Sequence, residues 1–266
     1  MILTKATDPK GAKLTEGFTA ILSADKVPEV GLSYGVCKLG PGKSFQCHSD
    51  EMETAVLVFS GKGELISNGR TLPFERTEWI DNPPVVVHCC ASGSIKVQNS
   101  GHGFLEVFVV QTLNPRSFST RFYSPQDIEI EHRGKGILKD TCYRIVRLVF
   151  DDQSGPPESQ MVLGEVVNFP GRWSSYPPHS HSQPEIYYYR FSPASGYGHA
   201  ELGEEVFKIQ DGDLLTITDN RVHAQVSAPG YHMYYLWAIR HLKDNRYTGF
   251  TFDPVHAWTL KKGSKS

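Results

Sequence analysis

The residues of this chain best suited to chemistry are four potential metal ligands in its second half. His179 and His181 stand one residue apart, Glu185 follows four residues later, and His223 lies beyond a turn at Asp211–Asp213. Imidazole and carboxylate groups are common protein ligands of divalent first-row metals. The four residues therefore predict one metal site. The alternative, that the two histidines are only solvated loop residues, is disfavoured because a glutamate and a third histidine accompany them.

The sequence around these ligands predicts β-strands. Pro177 and Pro178 prevent a helix from running into the histidines. The run Ile186–Tyr189 is aromatic and β-branched, which is typical of strands. Side chains alternate sides along a strand, so His179 and His181 are expected on one face, where the glutamate can join them.

The whole chain repeats this pattern of short apolar segments separated by Gly and Pro. None of the segments keeps a 3.6-residue period over three helical turns, so the sequence predicts an all-β barrel or sandwich. The predicted strands are Ser33–Leu39, Thr54–Phe59, Ile95–Val97, Leu105–Gln111, Tyr143–Phe150, Val162–Asn168, Ile186–Phe191, Leu214–Thr218 and Tyr231–Ile239.

Composition limits the classes of partner and the compartment. With 27 basic and 29 acidic residues, nothing favours nucleic acid or an anionic membrane as a partner. The five cysteines show no CxxC spacing, which favours reduced thiols and a cytoplasmic protein. The charged start MILTKATDPKGAKL does not resemble a signal peptide. We expect the basic tail Lys261–Ser266 to be solvated.

The two halves of the chain share a segment that indicates an internal duplication. Glu53 opens ETAVLVFS and Glu185 opens EIYYYRFS, an offset of 132 residues (185 − 53), and the same offset relates the Phe-Ser pairs that follow. The alternative is a chance similarity between two strands of like composition.

The same offset tests whether the first half also binds a metal. The three histidine positions fall on Cys47, Ser49 and Ala91, and only the glutamate is retained, as Glu53. His88 is nearby but out of register, and a one-residue slip turns a side chain to the opposite face of a strand. The sequence therefore predicts one metal per chain, held by the second half.

Longer motifs in the second half resemble a known family. The segments WSSYPPHSH, EIYYYRF, DGD, NRVHAQVSAPGY, MYYLWAIR and DPVHAW are similar to the 5-deoxyglucuronate isomerase family of bacterial myo-inositol catabolism, in the cupin superfamily. The resemblance covers most of residues 130–260 and is weaker over 1–120. It implies a bicupin of two jelly-roll-like β-barrels. Residues 1–120 would form a cupin domain with a degenerate metal site, and 121–266 a cupin domain that carries the metal.

The resemblance also implies an activity. Members of that family are aldose–ketose isomerases that convert 5-deoxy-D-glucuronate to 5-dehydro-2-deoxy-D-gluconate. Their metal ligands fall on His179, His181, Glu185 and His223, with one divalent Zn, Mn, Fe or Ni per chain. Three alternatives stay open: isomerisation of a related deoxy-keto-uronate, an iron dioxygenase, and a non-enzymatic sugar-binding cupin.

An isomerase of this kind also needs a group that carries a proton. Tyr187, two residues after the glutamate, and Tyr235, on the strand MYYLW, are the predicted catalytic residues. Gln225, two residues after His223, is a predicted hydrogen-bonding group for the substrate. Core packing is the alternative role for each tyrosine.

A sugar-acid substrate requires a cation for its carboxylate. Arg172 and Lys208 are the predicted substrate-binding cations, whereas strand alternation places Arg190 outside. The basic segment HRGKG (132–136) is interpreted as a solvated turn without a role in the site. The expected partner is a small sugar acid, and exposed edge strands favour a homo-oligomer.

Overall fold

A computed structural model of the chain describes residues 3–5 and 14–260. Most of the charged start and the whole basic tail lie outside these described residues. The described residues form twenty-one β-strands and three short 3₁₀-helices, at Pro125–Asp127, Leu138–Asp140 and Ala257–Leu260. The predicted all-β class is therefore confirmed. None of these helices is long and apolar enough to cross a membrane.

The chain folds as two compact units. The N-unit comprises Ala6–Ile128 and Val149–Val162, and the C-unit comprises Met1–Lys5, Glu129–Leu148 and Leu163–Ser266. The division at residues 120 and 121, as a boundary between two domains, stays a prediction.

The described residues of the N-unit form nine strands. They are β2 (Gly17–Leu22), β3 (Leu32–Leu39), β4 (Ser44–His48), β5 (Met52–Ser67), β6 (Arg70–Arg76), β7 (Val86–Cys89), β8 (Ser94–Asn99), β9 (Leu105–Leu113) and β10 (Arg121–Tyr123). The main order is β10-β7-β5-β9-β3-β2, while the distal part of the long β5 pairs with β6 and β8. A buried cluster rich in valine, leucine and isoleucine forms the core.

The remaining strands lie wholly or mostly in the C-unit. They are β1 (Leu3–Lys5), β11 (Glu129–Arg133), β12 (Arg144–Phe150), β13 (Met161–Asn168), β14 (Trp173–Ser180), β15 (Glu185–Ser192), β16 (Tyr197–Leu202), β17 (Glu205–Gln210), β18 (Asp213–Ile217), β19 (His223–Ser227), β20 (His232–Arg240) and β21 (Thr251–Phe252). One sheet has the order β1-β18-β15-β20-β13-β12-β11, and the other β17-β16-β19-β14-β21.

The strand order of the larger C-unit sheet repeats that of the N-unit. Strand β15 lies between β18 and β20, just as β5 lies between β7 and β9. Glu185 is the first residue of β15, and Glu53 is the second residue of β5. The topology thus supports the internal duplication that the 132-residue offset indicated.

The core of the C-unit is aromatic on the side of the predicted ligands. This core contains three tyrosines, Tyr187 and Tyr189 on β15 and Tyr235 on β20. They pack with aliphatic residues from β16, β17 and β18. Aromatic side chains bury large areas and keep a polar hydroxyl, so this core can also present hydrogen-bonding groups.

Candidate metal centre

The predicted ligands lie at strand ends in both sheets of the C-unit. His179 is the penultimate residue of β14, and His223 opens β19, in the five-stranded sheet. Glu185 opens β15 in the seven-stranded sheet, and His181 lies in the short connection from β14 to β15. The side chains therefore converge because two sheets meet at these ends, and His181 does so from a loop.

An irregular register in β14 places the first histidine. Ser174 pairs with Gln225 and His179 pairs with His223, so β14 advances five residues while β19 advances two. The extra residues form a bulge, which re-aims the side chains that follow it. As a result, the imidazole rings of His179 and His223 lie with their centroids 4.5 Å apart.

Three of the four predicted ligands form a tight buried group. The ligand atoms of His181, Glu185 and His223 all lie within 4.8 Å of one another. Oε2 of Glu185 is 3.0 Å from Nε2 of His181 and 3.6 Å from Nε2 of His223. Two ligand atoms that share one metal at bonds of about 2.1 Å are about 3.0–3.5 Å apart. This group could therefore hold a metal ion.

The hydrogen bonds of His223 leave one nitrogen suited to a metal. Its Nδ1 lies 3.0 Å from the carbonyl oxygen of Arg221, which can only accept, so Nδ1 carries the proton. The lone pair is then on Nε2, which is buried and has no hydrogen-bond partner among the described residues. A backbone carbonyl that fixes the tautomer of a ligand histidine is a usual feature of metal sites.

His179 lies beside the group of three rather than within it. Its Nδ1 faces the carbonyl oxygens of Ser175, at 3.2 Å, and Pro177, at 3.4 Å. Nδ1 therefore carries the proton and Nε2 the lone pair. The ring packs against Phe250 at a centroid distance of 4.2 Å. The place of His179 as a fourth ligand stays a prediction.

Burial keeps the imidazoles of His179 and His223 neutral. Desolvation, followed by the nearby His223 and His181, holds the pKa of His179 well below 6.5. Desolvation also lowers the pKa of His223, against the opposing effect of Glu185. Because a metal binds neutral imidazole, neither side chain must lose a proton at neutral pH before it can ligate.

Of the two predicted catalytic tyrosines, Tyr187 lies next to a ligand and Tyr235 lies next to Tyr187. The ring of Tyr187 is 5.9 Å from that of His223 and 5.1 Å from that of Tyr235. Burial raises the pKa of Tyr187 well above 10. It also raises the pKa of Tyr235, but hydrogen bonds with Ser174 and Ser175 and the charge of Arg144 oppose that rise.

A buried polar network connects Tyr235 to the predicted substrate-binding Gln225. The hydroxyl of Tyr235 lies 2.6 Å from that of Ser174 and 3.4 Å from that of Ser175. Nε2 of Gln225 donates to the Ser175 hydroxyl at 3.0 Å. Tyr189 donates to Oε1 of Gln225 at 2.5 Å. These contacts fix the orientation of the Gln225 amide and of the four hydroxyl groups, as a binding site requires.

The two predicted substrate-binding cations lie elsewhere. The guanidinium of Arg172 is over the rings of Tyr143 and Phe169, at 5.3 and 5.1 Å. The ammonium of Lys208 is 4.7 Å from the ring of Tyr197, on the exposed side of β17. The structure does not bring either cation to the ligand group, and their role in binding substrate stays a prediction.

Two arginines outside the predicted site residues pair with each other in the seven-stranded sheet. Arg144, at the start of β12, is 3 % exposed, and Arg133, at the end of β11, is its direct partner across the two strands. Arg133 belongs to the segment HRGKG, which the sequence alone predicts to be a solvated turn. Motif spacing could not have found this pair, because its position depends on the β11–β12 register.

In the N-unit, the glutamate equivalent to Glu185 accepts hydrogen bonds from other residues of the same unit. Glu53 is buried, and its oxygens lie 2.7 Å from Nε2 of His88, 2.6 Å from the Ser159 hydroxyl, 2.6 Å from the amide of Asn114 and 2.8 Å from the backbone nitrogen of Gln160. Burial alone would raise the pKa of Glu53, but these hydrogen bonds lower it. His88, predicted to be out of register, therefore does reach the glutamate.

The fold and the site define a class. Two β-rich units with the same main strand order, one of them with a buried histidine–glutamate group at its strand ends, form a bicupin, as predicted. An IolB-like protein from Salmonella typhimurium LT2 has the same fold, with a TM-score of 0.81 at 23 % identity over 94 % of this chain and 97 % of that one. Oxalate decarboxylase from Lactobacillus farciminis aligns with a TM-score of 0.65 at 11 % identity over 90 % and 85 %.

Within that class, the chain belongs to the KduI/IolB family, which matches residues 11–259. The 5-deoxy-glucuronate isomerase of Geobacillus kaustophilus (strain HTA426) is 24 % identical over an alignment of 276 positions, which covers 95 % of this chain and 94 % of that protein. The 5-deoxy-glucuronate isomerase of Bacillus licheniformis is 25 % identical over an alignment of 279 positions, covering 96 % and 97 %. The resemblance stated from the motifs is therefore confirmed at the level of the family.

Proposed function

We propose that this protein is a metal-dependent aldose–ketose isomerase that converts 5-deoxy-D-glucuronate to 5-dehydro-2-deoxy-D-gluconate. The observation that carries the proposal is the buried group of His181, Glu185 and His223, in a chain similar over nearly its full length to 5-deoxy-glucuronate isomerases. His179 is proposed as the fourth ligand.

The residues suit such a reaction, which moves hydrogen between two adjacent carbons and their oxygens and needs no external oxidant. A divalent metal would polarise the two substrate oxygens and stabilise the negative charge that develops on them. The ligand group supplies one carboxylate and neutral imidazoles, so it leaves the loaded site a net positive charge. Burial excludes water, which strengthens this electrostatic effect.

We assign the transfer of the proton to Tyr235. A proton carrier works best when its pKa is close to the working pH. Burial raises the pKa of both candidate tyrosines. For Tyr187, the nearby Glu185 and Tyr235 raise it further, and a hydrogen bond with Ser175 opposes that rise. Tyr235 instead has hydroxyl partners and a guanidinium that oppose the rise in its pKa. Gln225 and Ser175 would orient the substrate hydroxyl groups.

The test is elemental analysis of the purified protein followed by an NMR assay with 5-deoxy-D-glucuronate. We expect bound divalent metal and conversion to the ketose, and loss of both in His181→Ala and His223→Ala. Full conversion by a metal-free His223→Ala protein, or no conversion by metal-loaded wild type, would refute the proposal. In the second case, oxygen consumption would identify a dioxygenase, and conversion of a deoxy-keto-uronate would identify the related isomerase.

A further inference from the structure

We propose that Arg144 and Arg133 form a carboxylate-binding site beside the metal ligands, and that this pair holds the acid group of the substrate. The inference rests on the proposed function for the identity of the sugar, but the binding of a carboxylate can be tested without turnover.

The first observation is the surroundings of Arg144. Its side chain is buried, and Nη1 donates to the carbonyl oxygen of Cys142 at 2.8 Å. No carboxylate of the described residues lies within ion-pair distance of this guanidinium. Arg147, also buried on β12, differs because its Nη1 lies 2.9 Å from Glu165. A buried charge without a counter-ion is costly to fold, so an anion is expected at Arg144 in the working protein.

The second observation is that another arginine faces it. Arg133 and Arg144 are directly opposite in the antiparallel pair β11–β12, so their side chains share one face of the sheet. Like charges in that position repel each other. Glu131 forms an ion pair with Arg133 and neutralises one of the two charges. One positive charge remains, which matches a single carboxylate.

The third observation links the pair to the metal ligands. The guanidinium carbon of Arg133 is 5.8 Å from the centre of the Phe250 ring, which packs on His179 at 4.2 Å. Arg144 shares its strand face with Val146, a member of the core cluster that contains Tyr235. The arginines and the proposed metal therefore border the same buried aromatic region.

The electrostatics agree with this placement. The charge of Arg144 contributes to lowering the pKa of His179 and opposes the rise in the pKa of Tyr235. Burial lowers the pKa of Arg144 to about 10, so the guanidinium remains charged at neutral pH. Two guanidinium groups also suit a planar carboxylate, which they can bind through paired hydrogen bonds.

The experiment measures binding of D-glucuronate and of D-glucose to the metal-loaded protein by isothermal titration calorimetry. The two sugars differ only at the terminal carbon, which is a carboxylate in D-glucuronate and a neutral hydroxymethyl group in D-glucose, so their affinity ratio reports the carboxylate site. We expect wild type to prefer D-glucuronate. We expect Arg144→Gln and Arg133→Gln each to lower that preference about ten- to a hundredfold, because each loses a hydrogen bond between charged groups. The affinity for D-glucose should change little.

Two variants serve as controls. Lys135→Gln removes one positive charge from an exposed position two residues after Arg133, and its preference should equal that of wild type. Arg144→Lys keeps the charge and should retain part of the preference. If Arg144→Gln does not fold, the partly exposed Arg133 decides the test, because its substitution leaves no large buried gap.

The possible results separate this inference from the proposed function. An unchanged preference in folded, metal-loaded Arg144→Gln and Arg133→Gln would overturn the inference even if 5-deoxy-D-glucuronate is isomerised. Equal affinity of wild type for both sugars, or loss of preference only in Arg172→Gln or Lys208→Gln, would also overturn it. If the preference for D-glucuronate depends on the arginines but 5-deoxy-D-glucuronate is not converted, the carboxylate site is supported and the proposed isomerase activity is refuted.

Discussion

Two imidazoles with lowered pKa values connect the metal site to the pH dependence of stability. Burial lowers the pKa of His223 below 6.5 and holds that of His179 well below it. In the unfolded chain, histidine titrates at about 6.5. Below that pH the unfolded state binds more protons than the folded state, so the free energy of unfolding falls with falling pH until the folded pKa values are reached.

We therefore expect the metal-free protein to lose thermal stability as the pH is lowered from 7.5 to 5.5. The loss approaches about 1.4 kcal/mol per imidazole for each pH unit by which its folded pKa lies below its unfolded pKa. Thermal unfolding of the apoprotein across this range measures the slope. His179→Gln has no imidazole at this position and should give a shallower slope. A melting temperature that stays constant over the range would contradict the lowered pKa values.

Removal of one hydroxyl oxygen tests whether Tyr235 carries the proton. Tyr235→Phe keeps the ring in the core but removes the hydroxyl next to Ser174. We expect kcat to fall about a hundredfold or more, as for loss of a general acid–base group, with metal content unchanged. Steady-state kinetics with 5-deoxy-D-glucuronate and elemental analysis provide both values.

Tyr234→Phe is the matched control, because it lies one residue earlier on β20 and turns to Glu165, at 2.9 Å. Loss of this hydroxyl should cost about 1–2 kcal/mol of stability and leave kcat within about twofold. Equal activity of Tyr235→Phe and wild type would exclude Tyr235 as the proton carrier.

At the scale of strands, the N-unit stabilises a buried carboxylate with its own residues. Glu53 on β5 and His88 on β7 are both fully buried and lie 2.7 Å apart, and the His88 ring stacks on Phe150 at a centroid distance of 4.2 Å. His88→Ala would leave the carboxylate without its imidazole partner. We expect a loss of about 3–5 kcal/mol, the usual result when one member of a buried pair is removed.

Urea unfolding of His88→Ala measures this loss. The double variant Glu53→Gln/His88→Ala has no buried charge that is left unpaired. Its loss of stability should therefore be smaller than the sum of the losses in the two single variants. Strictly additive changes would show that the two side chains do not stabilise each other.

The strands also show which parts of the site could be predicted from the sequence. Local spacing brings two of the candidate ligands together, since His181 and Glu185 reach each other across a connection of only three residues. His223 instead reaches them from β19, in the other sheet. The arginine pair depends on the register between β11 and β12, which no local pattern specifies. The same limit applies to His88: its contact with Glu53 depends on a β5–β7 register that the 132-residue offset does not give.

At the scale of the molecule, the two units use equivalent strands for different purposes. Both place a buried glutamate at the start of the strand in the middle of the sheet. In the C-unit that glutamate lies among histidine nitrogens, of which Nε2 of His223 has no hydrogen-bond partner among the described residues. In the N-unit its oxygens accept from four protein groups. A duplicated unit can thus keep its fold while its ligand group is replaced by a hydrogen-bond network.

This difference predicts one metal per chain. Elemental analysis of the purified protein should give one equivalent of divalent metal, because binding at Glu53 would require breaking hydrogen bonds from His88, Ser159, Asn114 and Gln160, each worth about 1–3 kcal/mol when the acceptor is charged. His181→Ala should reduce the metal content to near zero. Glu53→Gln should lower stability but leave one equivalent bound. Two equivalents in wild type, with one lost in Glu53→Gln, would show that the N-unit also ligates a metal.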